Sequence, residues 1–208
     1  MTCGPFEWKT EWWSWPQFTD WWKQFHGHSH LQHVGGKAAQ DDARELGIEV
    51  MRNIVLFATD DGRAKTDFMG MNEGKYGFAA VEAFAADVAD DAKPPEYFDG
   101  GWLGCHAINL QSGGRRCAAA YLESIARLFP PGAAEFIGAA ASEYEAAFAF
   151  WQEFGRHLGY ASGGGDLEVM KKLWRDPARR RAGATAIRSA LTHERTAVAE
   201  IQKAFTVR

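Results

Sequence analysis

The densest group of side chains able to do chemistry is His26-Gly27-His28-Ser29-His30-Leu31-Gln32-His33. Alternate residues of an extended segment project to one side, and His30 and His33 share a face once a helix begins, so three imidazole nitrogens can converge on one ion. His26, His28, His30 and His33 are therefore the candidate metal ligands, with zinc or another divalent transition metal as the ion, since nickel and copper also accept imidazole. A His-rich loop that takes up metal adventitiously accounts for the same residues. No HExxH or ExxH pattern accompanies them, which argues against the zinc-protease and ferritin-like di-iron plans.

Nucleophilic chemistry has less to work with. A thiolate must face an imidazole across space, and Cys105 and His106 are neighbours whose side chains diverge by about 100° on a helix. Cys117 falls in an apolar stripe and reads as core, while Cys3 is anchored only if the first residues pack. Glu153 and His157, one helical turn apart, suit a surface ion pair. His193 and Glu194 are adjacent and point apart. Ser162-Gly163-Gly164-Gly165-Asp166 has neither the spacing nor the lysine of a P-loop, and no GxSxG or GxGxxG occurs. No motif supplies a nucleophile, so no catalytic activity is assigned.

The totals narrow the class further. A net charge of -4 over 208 residues gives no whole-molecule basis for binding nucleic acid and disfavours anionic membranes. Cys3, Cys105 and Cys117 form no CxxC pair, and an odd count is no disulfide framework. Glu7, Lys9, Glu11 and Asp20 interrupt any signal-like apolar run. No window approaches the ~20 apolar residues of a spanning helix. The expectation is a soluble, cytoplasmic protein with reduced thiols.

The elements that must position these groups divide at residue 40. Residues 1–40 form an aromatic- and His-rich arm. Trp8, Trp12, Trp13, Trp15, Trp21 and Trp22 are six of the chain's nine tryptophans. They either seal one end of the body or offer an aromatic surface to a partner. Residues 41–208 read as helical throughout. Asp41–Thr59 carries two aspartates in its first turn and an apolar set at Leu46, Val50, Ile54 and Phe57. After a long loop, Asp60–Gly74, a second helix is expected over Tyr76–Asp91, stopped by Pro94 and Pro95.

The central helix carries Ile108, Cys117, Ala118, Tyr121, Leu122, Ile125 and Leu128 at steps of three and four. It starts at Cys105 or, if Ser112-Gly113-Gly114 breaks it, restarts at Arg115. Pro130-Pro131 separates it from a helix over Gly132–Leu158 with Phe136, Tyr144, Phe148, Trp151 and Phe154 inward. Asp166 caps a short helix to about Trp174. Asp176-Pro177 opens the last one, whose apolar face runs Ala182, Ile187, Leu191, Val198, Ile201, Phe205. Arg179, Arg180, Arg181, Arg188 and Arg195 read as a solvated surface. The fold class is all-α, a bundle of five to six helices.

Four of these segments, YGFAAVEAFAADVADD, RRCAAAYLESIARLF, AASEYEAAFAFWQEF and DPARRRAGATAIRSALTHERTAVAEIQKAF, resemble the helical C-terminal half of the butirosin biosynthesis protein H-like group. That group couples such a half to a papain-like or C39-like cysteine-enzyme half. The resemblance implies functional positions at Tyr76 and Gly77, at Phe84 where the group tends to have tryptophan, and at Arg116, Tyr144 and Glu194. It implies a stand-alone helical module here, because a 40-residue arm cannot contain the catalytic half and no residue matches the group's nucleophile.

The sequence therefore points to a helical module binding a small apolar or aromatic molecule, or a partner protein, without chemistry of its own. Its cavity is expected between loops 60–74 and 96–104 and the start of the central helix. Phe68, Tyr76, Tyr97, Trp102, His106 and Arg116 would line it, combining flat apolar surface with polar handles. Two rivals stand beside this reading. One is a metal-dependent enzyme using the His cluster. The other is an accessory or oligomerising protein: half of a split cysteine acyltransferase or peptidase-like enzyme, or a homo-oligomer joined through the tryptophans.

Overall fold

The computed structural model describes residues 40–59, 75, 77–93, 111–159 and 166–207. These form six α-helices, and no β-strand occurs among the described residues. They are α1 (Gln40–Thr59), α2 (Gly77–Ala89), α3 (Gln111–Ala126), α4 (Pro131–His157), α5 (Leu167–Trp174) and α6 (Pro177–Ala204). None is long and apolar enough to cross a membrane.

The two longest helices, α4 and α6, make the largest packing contact, with α3 laid on α4 and α2 on α6. Small side chains let the central pair approach: Ala140, Ala141 and Ala147 of α4 and Ala190 and Ala197 of α6 are all buried. At Gly183 there is no room for a larger residue, since a Cβ there would lie 3.0 Å from Cδ2 of Phe154. The ends are defined by the chemistry expected of them. Pro130 precedes α4 with proline in its first turn. The Asp166 carboxylate accepts from the amides of Glu168 and Val169, and that of Asp176 from the amide of Ala178.

The core has two apolar halves. In one, Ala85 and Val88 of α2 meet Trp151 and Phe154 of α4, Trp174 of α5 and Ile187 of α6. Phe154 is its hub, with Phe84, Trp151 and Trp174 edge-on at 5.8, 5.9 and 6.3 Å between ring centres. Such pairs add about 0.5–1.5 kcal/mol each beyond area burial. In the other half, Met51 of α1 packs with Leu122 and Ile125 of α3, Ile137 and Tyr144 of α4 and Ile201 of α6.

Several expected faces are rotated. In α1, Leu46 and Phe57 are 56% and 51% exposed, while Met51 is fully buried and Gly47 also faces the interior. The helix carries two apolar stripes, and tertiary contact selects the one containing Gly47. That glycine lets α1 come close enough to α3 for an added Cβ to sit 3.5 Å from Ile125. In α3, Cys117 is exposed rather than core, because it lies about 140° round the helix from buried Leu122. The helix opens at Gln111, ahead of the glycine pair, and runs through it, so there is no restart at Arg115. Gly113 and Gly114 fall in the first turn, where amide hydrogens have no helical partner and the penalty for glycine is least.

The arginines of α6 are not uniformly solvated either. Arg180 is only 3% exposed. Its guanidinium donates to Asp91 Oδ1 at 2.9 Å and to the Lys93 carbonyl at 3.4 Å, and Arg181 takes the other Asp91 oxygen at 2.7 Å. This clamp ties the start of α6 to the segment after α2. Phe205, expected inward, is 38% exposed just past the end of α6.

Candidate functional site

Between the two apolar halves lies a polar seam. Glu194 of α6 is 4% exposed, and its place on the helix follows from the register of Ile187, Leu191, Val198 and Ile201, which puts position 194 on the inner face. Arg115 of α3 grips it at both oxygens: Nε donates to Oε1 at 2.8 Å and Nη2 to Oε2 at 2.7 Å. Trp151 Nε1 donates to Oε1 at 2.9 Å. Arg115 Nη1 also donates to the side-chain oxygen of Gln111, one turn earlier. The Trp151 ring lies 5.7 Å from the guanidinium carbon. A two-point fork of this kind restrains both side chains in one geometry.

A cleft of about 370 Å³ opens over this seam. Ile54, Phe57 and Ala58 of α1, Phe78, Ala80 and Val81 of α2, and Ala118 of α3 make its walls. Gln111, Arg115, Tyr144 and Glu194 supply the polar part. Gly77 and Gly114 bring backbone to the cleft at the starts of α2 and α3.

The Tyr144 phenol is displaced in its ionisation. Burial raises its phenol to about 12, with the Glu194 carboxylate adding to the rise and Arg115 opposing it. It is a neutral hydroxyl at physiological pH. The unfolded chain ionises near 10 and the folded one near 12, so this group's stabilisation is complete below pH 10 and fades as the pH climbs to 12. Urea unfolding from pH 9 to 11.5 should show wild type losing up to about 2 kcal/mol more than Tyr144→Phe. Parallel curves would mean that Tyr144 is not sealed in this way.

Other titratable pairs lie outside the cleft. His193 Nδ1 is 2.6 Å from Glu143 Oε2 with Phe150 stacked on its ring at 5.3 Å, so His193 and Glu194 do point apart. Glu153 and His157 pair at 3.7 Å across one turn. Phe78 is shared with a shallower hollow of about 480 Å³, where Glu82 meets Arg188 at 3.5 Å and Arg195 at 3.9 Å. All three are about half exposed, so water screens them.

The expected lining residues are distributed unevenly. Phe68, Tyr76, Tyr97, Trp102 and His106 lie outside the described residues, as do His26, His28, His30 and His33. Among the described residues no three His, Cys, Asp or Glu side chains are grouped to hold a metal. Arg116 is exposed, over the Phe148 ring at 5.6 Å, and does not line the cleft; its neighbour Arg115 does. Adjacent helical residues diverge by about 100°, and nothing in a local pattern tells which of two arginines meets a carboxylate far along the chain. Of the positions the resemblance implied, Gly77, Tyr144 and Glu194 line the cleft, Phe84 packs on Phe154, Arg116 lies outside the cleft and Tyr76 is outside the described residues. Glu194 also carried a signal of its own, a charge set in the apolar register of the last helix.

Comparison with protein-family models, with curated proteins and with solved structures gave no match.

Proposed function

We propose that the helical body is a binding module for a small molecule with a flat apolar or aromatic body and a polar end, held in the cleft between α1, α2 and α3. The observation that carries this reading is the cleft's make-up: apolar walls over a part-buried Arg115–Glu194 pair whose charges cancel. A ligand's rings would replace water against Phe57, Phe78 and Ala118. Arg115 has five N–H donors, of which three are engaged by Glu194 and Gln111. The remaining two, with the Tyr144 hydroxyl, suit a carbonyl or carboxylate oxygen.

Binding without chemistry is favoured by the state of the polar groups. The Glu194 carboxylate already accepts three hydrogen bonds, and the Tyr144 phenol keeps its proton. A phenol that stays protonated is no general base at neutral pH.

Titrating a set of one- and two-ring aromatic carboxylates and amides against methyl-labelled protein tests the reading. The Ala58, Ala80 and Ala118 methyl signals should move together for at least one of them. Ala118→Phe, which fills the cleft from α3, should weaken that ligand by about ten-fold or more. Signals that move only elsewhere, or binding indifferent to Ala118→Phe, would remove the cleft as the site.

A further inference from the structure

The hollow of about 480 Å³ beside the cleft is built on different chemistry. Ala79, Ala83 and Ala86 of α2 and the Phe78 ring give it an apolar lining. Lys75 and Arg195 line it as cations, and Glu82 is the carboxylate among its described lining residues. That carboxylate is divided between two arginines: Arg188 Nε lies 3.5 Å from one oxygen and Arg195 Nη2 lies 3.9 Å from the other. Both separations exceed the roughly 2.7–3.2 Å of a direct N–H···O bond, so the guanidinium donors stay open to a better acceptor. Lys75 is exposed and meets no carboxylate among the described residues. Three cations thus stand around one anion in a chain whose net charge is -4. The surplus belongs to this place and not to the surface at large.

We propose that this hollow binds the phosphate of a monoester that carries a small apolar body. Such a phosphate holds about 1.5 to 2 negative charges at pH 7, close to the surplus that remains once Glu82 has neutralised one of the three cations. A carboxylate would leave part of that surplus unmatched. The Lys75 ammonium is a compact point charge and the Arg195 guanidinium a planar fork, and together they suit a tetrahedral set of oxygens. Arg195 is already positioned, with its guanidinium carbon 5.7 Å from the centre of the Phe78 ring. Its pairing with Glu82 is half exposed and therefore weak, so a phosphate can replace it with little loss. The alanines and Phe78 then cover the apolar body. The cleft, where the charges of Arg115 and Glu194 cancel, takes a different ligand, so this site is independent of it.

Titration of the full chain, methyl-labelled at alanine, with naphthyl phosphate at low ionic strength tests the assignment. The signals of Ala79, Ala83 and Ala86, which line the hollow alone, should move with the ester, while those of Ala80 and Ala118, which line the cleft alone, should stay. Lys75→Gln combined with Arg195→Gln should weaken binding by about ten-fold or more, and added salt should weaken it in the wild type. Naphthol, which lacks the phosphate, should bind the wild type no better than the ester binds the double variant. Circular dichroism checks helix content. If the double variant loses helix, Lys75→Gln alone replaces it, with a loss of about three-fold or more expected at that exposed position. Movement confined to Ala80 and Ala118, or no movement at millimolar ester, would overturn the proposal. So would naphthol binding as tightly as its phosphate, or an unchanged affinity in the variants.

Discussion

Replacing Arg115 by methionine is expected to destabilise the protein by about 3–5 kcal/mol, the usual loss when one partner of a buried ion pair is removed. Glu194 would lose both Arg115 donors in a site only 5% exposed, with Trp151 Nε1 as its remaining described donor. The reverse change, Glu194→Leu, should be milder. The Arg115 side chain is 20% exposed, so water can reach the stranded guanidinium. Joining Arg115→Met to Glu194→Leu should recover most of the loss, because two apolar groups replace a pair whose desolvation offset much of its attraction. Urea denaturation of the four proteins gives the cycle. A double variant no more stable than Arg115→Met alone would show that the arginine acts through packing on Trp151 rather than through the carboxylate.

Gly77→Ala is expected to destabilise by about 3 kcal/mol or more. Gly77 has φ of 55°, a left-handed conformation that side chains rarely adopt, and a Cβ there would fall 2.4 Å from the Ala58 carbonyl oxygen and 2.6 Å from that of Phe57. Both obstacles are backbone, so no rotamer change relieves them. The start of α2 would have to withdraw from the end of α1, and Phe57, Ala58 and Gly77 all line the cleft. The variant should therefore lose ligand affinity along with stability, whereas Arg116→Ala, at an exposed position outside the cleft, should change neither by more than about 0.5 kcal/mol. Thermal unfolding and the aromatic-carboxylate titration measure both effects. A Gly77→Ala protein with wild-type stability would mean that the junction of α1 and α2 is looser than its geometry.

Part of this site could be read before any fold was known. The cavity expected between loops 60–74 and 96–104 and the start of the central helix involves loops outside the described residues. The described cleft is lined instead by residues that no motif singled out for it, Phe57 and Ala58 on one side and Phe78 on the other. Tyr144 and Trp151 belong to a stripe that periodicity marks as inward. Arg115 was not legible, because its choice over Arg116 depends on a carboxylate 79 residues away. Cys117 was misplaced for a related reason: a small, weakly polar side chain completes an apolar pattern on paper without contributing enough area to turn the helix its way.

What the sequence determined alone is the helical order of the body: the periodic apolar stripes, the proline stops at Pro130-Pro131 and the carboxylate caps at Asp166 and Asp176. These are local effects, set by side-chain spacing and backbone hydrogen bonding within a few residues. What only the tertiary structure decided is which of two stripes α1 turns inward, which arginine meets Glu194, and that Arg180 is buried beneath Asp91. Each of those depends on groups distant along the chain. A charge is retained in the interior only where a partner arrives to replace its water, and no local pattern records where that partner will be.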